Sequence, residues 1–215
     1  MHIEKNICDN LLGTLLSIDG KNKDTDKASI DLEKLGIRKE LHLKKRADGS
    51  FDKPPALYVL SSVEWRGFFD FLKSIKYSDG YAANISSCVS TKGDKLSGLK
   101  SLDCHVLLQH ILPIGMRGYL NKDICITLFE LGNFFQELCS KTLRVSKLVE
   151  LQDRIVLILC KMEKIFPPAF FDVMVHLAIH LPREAIFLEG QCNIGGCTQL
   201  NGNHNYYLKI YITLK

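Results

Sequence analysis

"ILCKMEKIFPPAFFDVMVHLAIHLPREA", residues 158–185, is the stretch whose reading decides the fold class. Its start continues a pattern in which Leu148, Leu151, Ile155, Ile158, Met162 and Ile165 recur at three- and four-residue steps. Such steps line one face of an α-helix, so a helix is predicted over 146–165. Pro167 and Pro168 end it, and a proline suits the first turn of the next helix. The following segment is apolar on nearly every side. A helix is therefore predicted over 168–181, buried in the middle of the core. The longest apolar run, "IFPPAFFDVMVHLAIHL", holds two prolines, an Asp and two His. It is too short and too polar to span a membrane.

Upstream, Ile124, Leu128, Leu131, Phe135 and Leu138 predict a helix over 122–140, and a further one is expected over 102–112. Ser61 and Glu64 have capping-box spacing. Trp65, Phe68, Phe69, Leu72 and Ile75 behind them make one apolar helical face. Residues 2–18 carry Ile3, Ile7, Leu11, Leu15 and Ile18 at helical spacing despite Gly13. A charged connection (19–27) leads to a short helix ending at Leu35, with Gly36 as its stop. Residues 37–56 read as an exposed basic loop, with a brief strand at "LYVLS". Residues 77–101 read as a long Gly/Ser/Lys-rich connection with one helical turn near 82–85. Downstream, "QCNIGGCTQLNGNHNYYLKIYITLK" (191–215) changes character from Gly/Asn-rich to β-prone. The predicted fold is mainly α: an irregular helical bundle with long loops and a short strand or hairpin in the C-terminal tail.

The chain has 215 residues, 46% hydrophobic and 24% charged, with 28 Lys and Arg against 24 Asp and Glu. These values describe a globular chain and not a disordered one. The net charge of +4 permits contact with nucleic acid without requiring it. Eight cysteines are scattered through mostly apolar segments, and the first residues do not read as a signal peptide. Free thiols in a reducing compartment are expected.

Four groups of residues invite a chemical reading. Asp103, Cys104 and His105 are consecutive. Neighbours on a helix point about 100° apart, so they cannot converge on one ion unaided. The plainer reading is a helix start capped by Ser101 or Asp103, with Cys104 as a small buried group. His176 and His180 put two imidazoles on one helical face, one turn apart. A zinc site there would need completing ligands from Cys104, His105 or Cys160; the alternative is a pair of core histidines. The basic run at Arg38, Lys39, Lys44, Lys45 and Arg46 suits phosphate contact or solvent equally. Cys192, Cys197 and His204 have a loose knuckle-like spacing that reads as coincidence. No phosphate-binding Gly loop, nucleophile-elbow serine or acid/base carboxylate pair is present in the sequence.

Several stretches together resemble a known family. "MHIEKNICDNLLGTLLSIDGKNKDTDKASIDLEKLGIRKELHL" is similar to the end of the transposase core of plant En/Spm-like (CACTA) transposons. "LYVLSSVEWRGFFDFLKSIKYSDGYAANISSCV" and "GLKSLDCHVLLQHILPIGMRGYL" resemble the segment that follows. "LFELGNFFQELCSKTL" and "ILCKMEKIFPPAFFDVMVHLAIHLPREA" resemble the helical domain of unknown function that comes next. The resemblance covers roughly residues 1–189. It implies a division into 1–36, a helical remnant of the core end; 37–101, basic loop, amphipathic helix and linker; 102–189, the helical domain; and 190–215, a divergent tail.

Family copies place Asp-Val before "MHIEKN", forming a D-x-x-H motif with a catalytic Asp. Here His2 matches the motif's His and the Asp would precede residue 1. Family copies also continue past "LPREA" into a "YRWMYPFER"-like stretch that this sequence replaces. The resemblance thus implies a truncated transposon-derived helical domain without enzymatic activity, and it argues against a complete metal-dependent nuclease. Expected partners are DNA or other transposase segments or subunits, with no membrane and no small-molecule substrate. The expected location is the nucleus, otherwise the cytoplasm. No cofactor is expected. The alternative is a host-retained nuclear protein- or DNA-binding module, stabilised by zinc.

Overall fold

The computed structural model describes residues 2–75, 85–90, 95–140 and 142–192, with side chains to 187. The fold is mainly α, an irregular bundle with, among the described residues, one two-stranded hairpin. Helix α1 (His2–Leu15) buries Ile3, Ile7, Leu11 and Leu15, the stripe read from the sequence. Helix α2 (Asp26–Leu35) starts where Thr25 Oγ1 accepts the Ala28 N–H at 3.3 Å. It ends at Gly36, whose φ of 69° is left-handed and lets Ile37 N–H return to the Leu32 carbonyl.

The loop 37–56 is more ordered than its polarity implied. A 3₁₀ turn (Lys39–Leu41) precedes an antiparallel hairpin of β1 (Lys44–Lys45) and β2 (Phe51–Asp52). Its turn is local chemistry: Asp48 Oδ1 accepts from Ser50 N and Oγ, and Gly49 takes a φ of 84°. The strand expected at "LYVLS" is absent. Residues 57–59 form a turn instead, because Tyr58 folds inward onto Phe166 at a ring separation of 5.3 Å. Helix α3 (Ser62–Ser74) opens on the predicted capping box: Glu64 Oε2 accepts Ser61 N–H at 2.8 Å, and Ser61 Oγ accepts Glu64 N–H at 3.4 Å. The helical turn expected near 82–85 falls largely outside the described residues. A 3₁₀ turn spans Ile85–Cys88.

The helix expected over 102–112 is α4 (Ser101–Val106), a π turn (Leu107–Ile111) and α5 (Leu112–Gly115) in succession. Pro113 explains the widened turn. It has no N–H for the regular ladder, so the hydrogen-bond register slips and Leu112 N–H reaches back to the Leu107 carbonyl. The extra residue also turns His110 to solvent, although Val106, four positions earlier, is buried. Helices α6 (Lys122–Leu138) and α7 (Val145–Ile165) match their predicted faces and pack on each other as the spine of the core.

The single buried helix expected over 168–181 is a misreading. Pro168–Phe170 is a 3₁₀ turn, α8 is only Val173–Leu177, a second 3₁₀ turn covers Ala178–His180, and α9 runs Leu181–Cys192. Phe170 stacks on Phe166 at 4.4 Å, which folds the chain back after the prolines. Asp172 then caps a new helix, its Oδ1 accepting from the Met174 and Val175 N–H groups. This helix is also not central: Val173 is 72% exposed, and His176 and His180 face solvent. Fully enclosed faces belong instead to α1, to α4 with its π turn, and to α6 and α7. Because α9 runs to Cys192, the break in composition at 190 is not a break in secondary structure. The strand or hairpin expected in the tail lies outside the described residues. Among the described residues, no helix is long and apolar enough to cross a membrane.

Candidate functional site

The basic run divides into two jobs. Arg38 takes a left-handed backbone (φ 52°) and turns its side chain inward, where Nη1 donates to the Phe166 carbonyl at 3.0 Å. It also lies 3.6 Å from Glu40. Arg38 therefore ties the 3₁₀ turn to the end of α7. Lys39, Lys44 and Lys45 are exposed. Arg46 is exposed too, but bonds Asp52 across the hairpin at 2.9 Å. Phe51, opposite Lys45, is 64% exposed. The hairpin thus presents two lysines, a partly neutralised arginine and a bare aromatic ring on one small projection.

The predicted metal ligands lie in three places. His176 and His180 do sit side by side, their rings 5.3 Å apart and edge to face. His176 shares a shallow cavity of about 250 Å³ with Cys160 and Glu163, between α7 and α8. Cys104 lies elsewhere, fully buried in the seam of α1 and α4 against the thiol of Cys8. That contact, together with burial, pushes the Cys8 thiol well above its ordinary range.

His105 points a different way and meets a residue the sequence reading passed over, Glu4. The Glu4 carboxylate is 1% exposed although it carries a charge-bearing group. Its oxygens lie 2.9 and 3.1 Å from His105 Nδ1, and Gln109 Nε2 lies 2.8 Å from Oε1. Gln109 Nε2 is also 3.0 Å from His105 Nδ1, which closes a triangle of polar atoms. Cys139, at the end of α6, completes the group. One donor atom from each of Glu4, His105 and Cys139 lies within 4.8 Å of the others, and among the described residues no other three His, Cys, Asp or Glu do so. In the sequence Glu4 is one acid beside the apolar stripe of α1, with nothing to mark it as buried. Its partners are 101 and more positions away.

A second surface is apolar. Pro113, Ile114, Ile126 and Phe129 line an open groove of about 730 Å³ between α5 and α6, with Arg117 and Lys122 on its rim. Ile114 and Phe129 are more than half exposed there.

Residues 138–201 match the family described as "Domain of unknown function (DUF4218)". The match begins at the last residue of α6, takes in Cys139, α7, α8 and α9, and ends beyond the boundary placed at 189. No curated protein and no solved structure matches the chain.

Proposed function

We propose that this chain is a transposon-derived helical domain, ancestrally part of a DNA transposase, that contacts DNA through the β1–β2 hairpin and performs no strand chemistry itself. The resemblance to En/Spm-like transposases and the match over 138–201 support the ancestry. The observation that carries the DNA contact is the hairpin. Lys44 and Lys45 are exposed cations for phosphates, Lys45 on the face it shares with Phe51 and Lys44 on the other, opposite Asp52, and the 64% exposed Phe51 ring offers a face on which an unpaired base stacks. A net charge of +4 is too small for a strong overall field, so attraction is local to this projection. Such a role places the protein in the nucleus.

The absence of strand chemistry is supported by what the carboxylates do. Glu130 bonds Lys161, Glu137 bonds Arg154 and Lys147, and Asp172 bonds Asn10 and Lys23. Asp103 accepts the Lys100 N–H at the start of α4. These acids serve caps and ion pairs on α4, α6 and α8.

A salt series of fluorescence-anisotropy titrations on labelled single- and double-stranded DNA tests the contact. Lys44→Glu with Lys45→Glu should weaken binding and reduce the slope of log K against log salt by about 2. Arg38→Gln should leave the slope in place. Binding indifferent to the double substitution would remove the hairpin from the interface. The groove rimmed by Arg117 and Lys122 favours a second reading, a nuclear module that docks another transposase segment or subunit.

A further inference from the structure

We propose that Glu4, His105 and Cys139 form a binding site for one divalent metal ion of borderline softness, zinc by donor type, with a fourth position open to water. The site is independent of the hairpin and of its DNA reading.

The first argument is convergence. Three separate elements, α1, α4 and the end of α6, bring a carboxylate, an imidazole and a thiol together around one point, the carboxylate only 1% exposed. Gln109 Nε2 donates to Glu4 Oε1 at 2.8 Å. With an ion on Nδ1 and one Glu4 oxygen, that bond orients the ligating carboxylate, as outer partners of metal ligands do.

The second argument is distance. Metal–nitrogen and metal–oxygen bonds of about 2.0–2.1 Å in tetrahedral array put the two donors about 3.3 Å apart. Nδ1 and the Glu4 carboxylate are already at 2.9–3.1 Å. Sulfur, at a bond length of about 2.3 Å, needs a shift of at most about 1 Å, because the three donors already lie within 4.8 Å of one another.

Charge balance is the third. A carboxylate and a thiolate neutralise a divalent ion, so no net charge is left at a carboxylate only 1% exposed. Cys139 also caps the C-terminus of α6, a helix of 17 residues, where the carbonyl ends favour a cation. Binding exchanges the Cys139 thiol proton for a metal–sulfur bond and releases that proton to solvent. Mixed N, O and S donors select zinc over the all-oxygen preferences of magnesium or calcium. The His105 side chain is 22% exposed, so water reaches the fourth position from its edge.

The full chain, stripped with chelator and kept reduced by a phosphine, should bind one equivalent of Co²⁺ with a thiolate-to-cobalt charge-transfer band, and Zn²⁺ should then displace the cobalt. Cys139→Ser should abolish the band. Glu4→Gln, close in size, should weaken binding at least tenfold while circular dichroism shows the helices retained. His176→Ala with His180→Ala, and Cys192→Ser with Cys197→Ser, should leave the band unchanged. A native chain that shows no such band at one equivalent would overturn the proposal. So would a band that survives Cys139→Ser, or one lost in either control.

Discussion

Asp172 shows how much one side chain can hold together. Oδ2 accepts from Asn10 Nδ2 at 2.8 Å and Lys23 Nζ at 3.1 Å, which joins α8 to α1 and to the loop after it. Oδ1 meanwhile accepts the first free N–H groups of α8. Burial by itself would raise this carboxyl, but the bonds from Asn10, Lys23 and the Val175 N–H outweigh it and hold the group below its ordinary range. Glu137 behaves alike: burial opposes ionisation, and Lys147 with Arg154 overcomes it. A carboxyl lowered in the folded state contributes stability above its unfolded pKa of about 4, and that contribution is lost as pH falls through the lower folded value. Urea unfolding should therefore show stability falling between about pH 5 and pH 2. Asp172→Ala should cost about 1–2 kcal/mol at pH 7 through the lost cap and the stranded partners, and should flatten the acid limb. An acid limb as steep in Asp172→Ala as in the native chain would show that this carboxylate does not set it. In the sequence Asp172 was merely a polar interruption of an apolar run, because capping depends on where the chain turns.

At the scale of elements, periodicity was legible wherever packing agreed with local preference. The faces of α1, α3, α6 and α7, the Ser61–Glu64 box and the Gly36 stop all follow from residues within a few positions of one another. Reading failed where a local competitor won. Two prolines and the Phe166–Phe170 stack broke 168–181 into short pieces, and Pro113 slipped the register of 102–112. The π turn has a counterpart on α6. A Cβ at Gly132 would lie 2.8 Å from the Leu108 carbonyl oxygen and 3.3 Å from that of Gln109. Gly132 is thus the notch that receives the carbonyls of the widened turn. Alanine normally gains about 1 kcal/mol over glycine within a helix. Here the obstacle is backbone, which cannot swing aside, and overpacking of about 1–3 kcal/mol competes. With the closest atom a backbone oxygen at 2.8 Å the cost lies toward the upper end of that range, so Gly132→Ala should destabilise the fold by up to about 2 kcal/mol, read as a lower urea midpoint. A midpoint at or above the native value would mean that the helices separate freely at this contact.

At the scale of the whole molecule, the sequence was silent about which distant residues meet. His105 and Gln109 are neighbours by i,i+4 spacing, but Glu4 meets them only because α1 packs on α4 and its π turn, and no spacing rule links it to them. The same geometry bears on catalysis. Two-metal phosphoryl transfer needs carboxylates on a rigid frame that holds both ions about 4 Å apart. In this bundle Glu130 and Glu137 lie about two turns apart on α6 and Asp172 caps α8; each is engaged by cations or amides, and Asp103 is occupied at the start of α4. Recruiting them would require breaking those bonds and moving helices that share one core. A single ion at Glu4, His105 and Cys139 supplies one metal and not a pair. The full chain with Mg²⁺, Mn²⁺ or Zn²⁺ should therefore leave labelled transposon-end duplex uncut, at protein concentrations that saturate any binding to that duplex. The decisive control uses substitutions of Asp103, Glu130, Glu137, Glu163 and Asp172, one at a time. Cleavage that survives rigorous purification and disappears with any one of them would mean that this bundle rearranges into a nuclease, and would overturn the reading of these acids as structural.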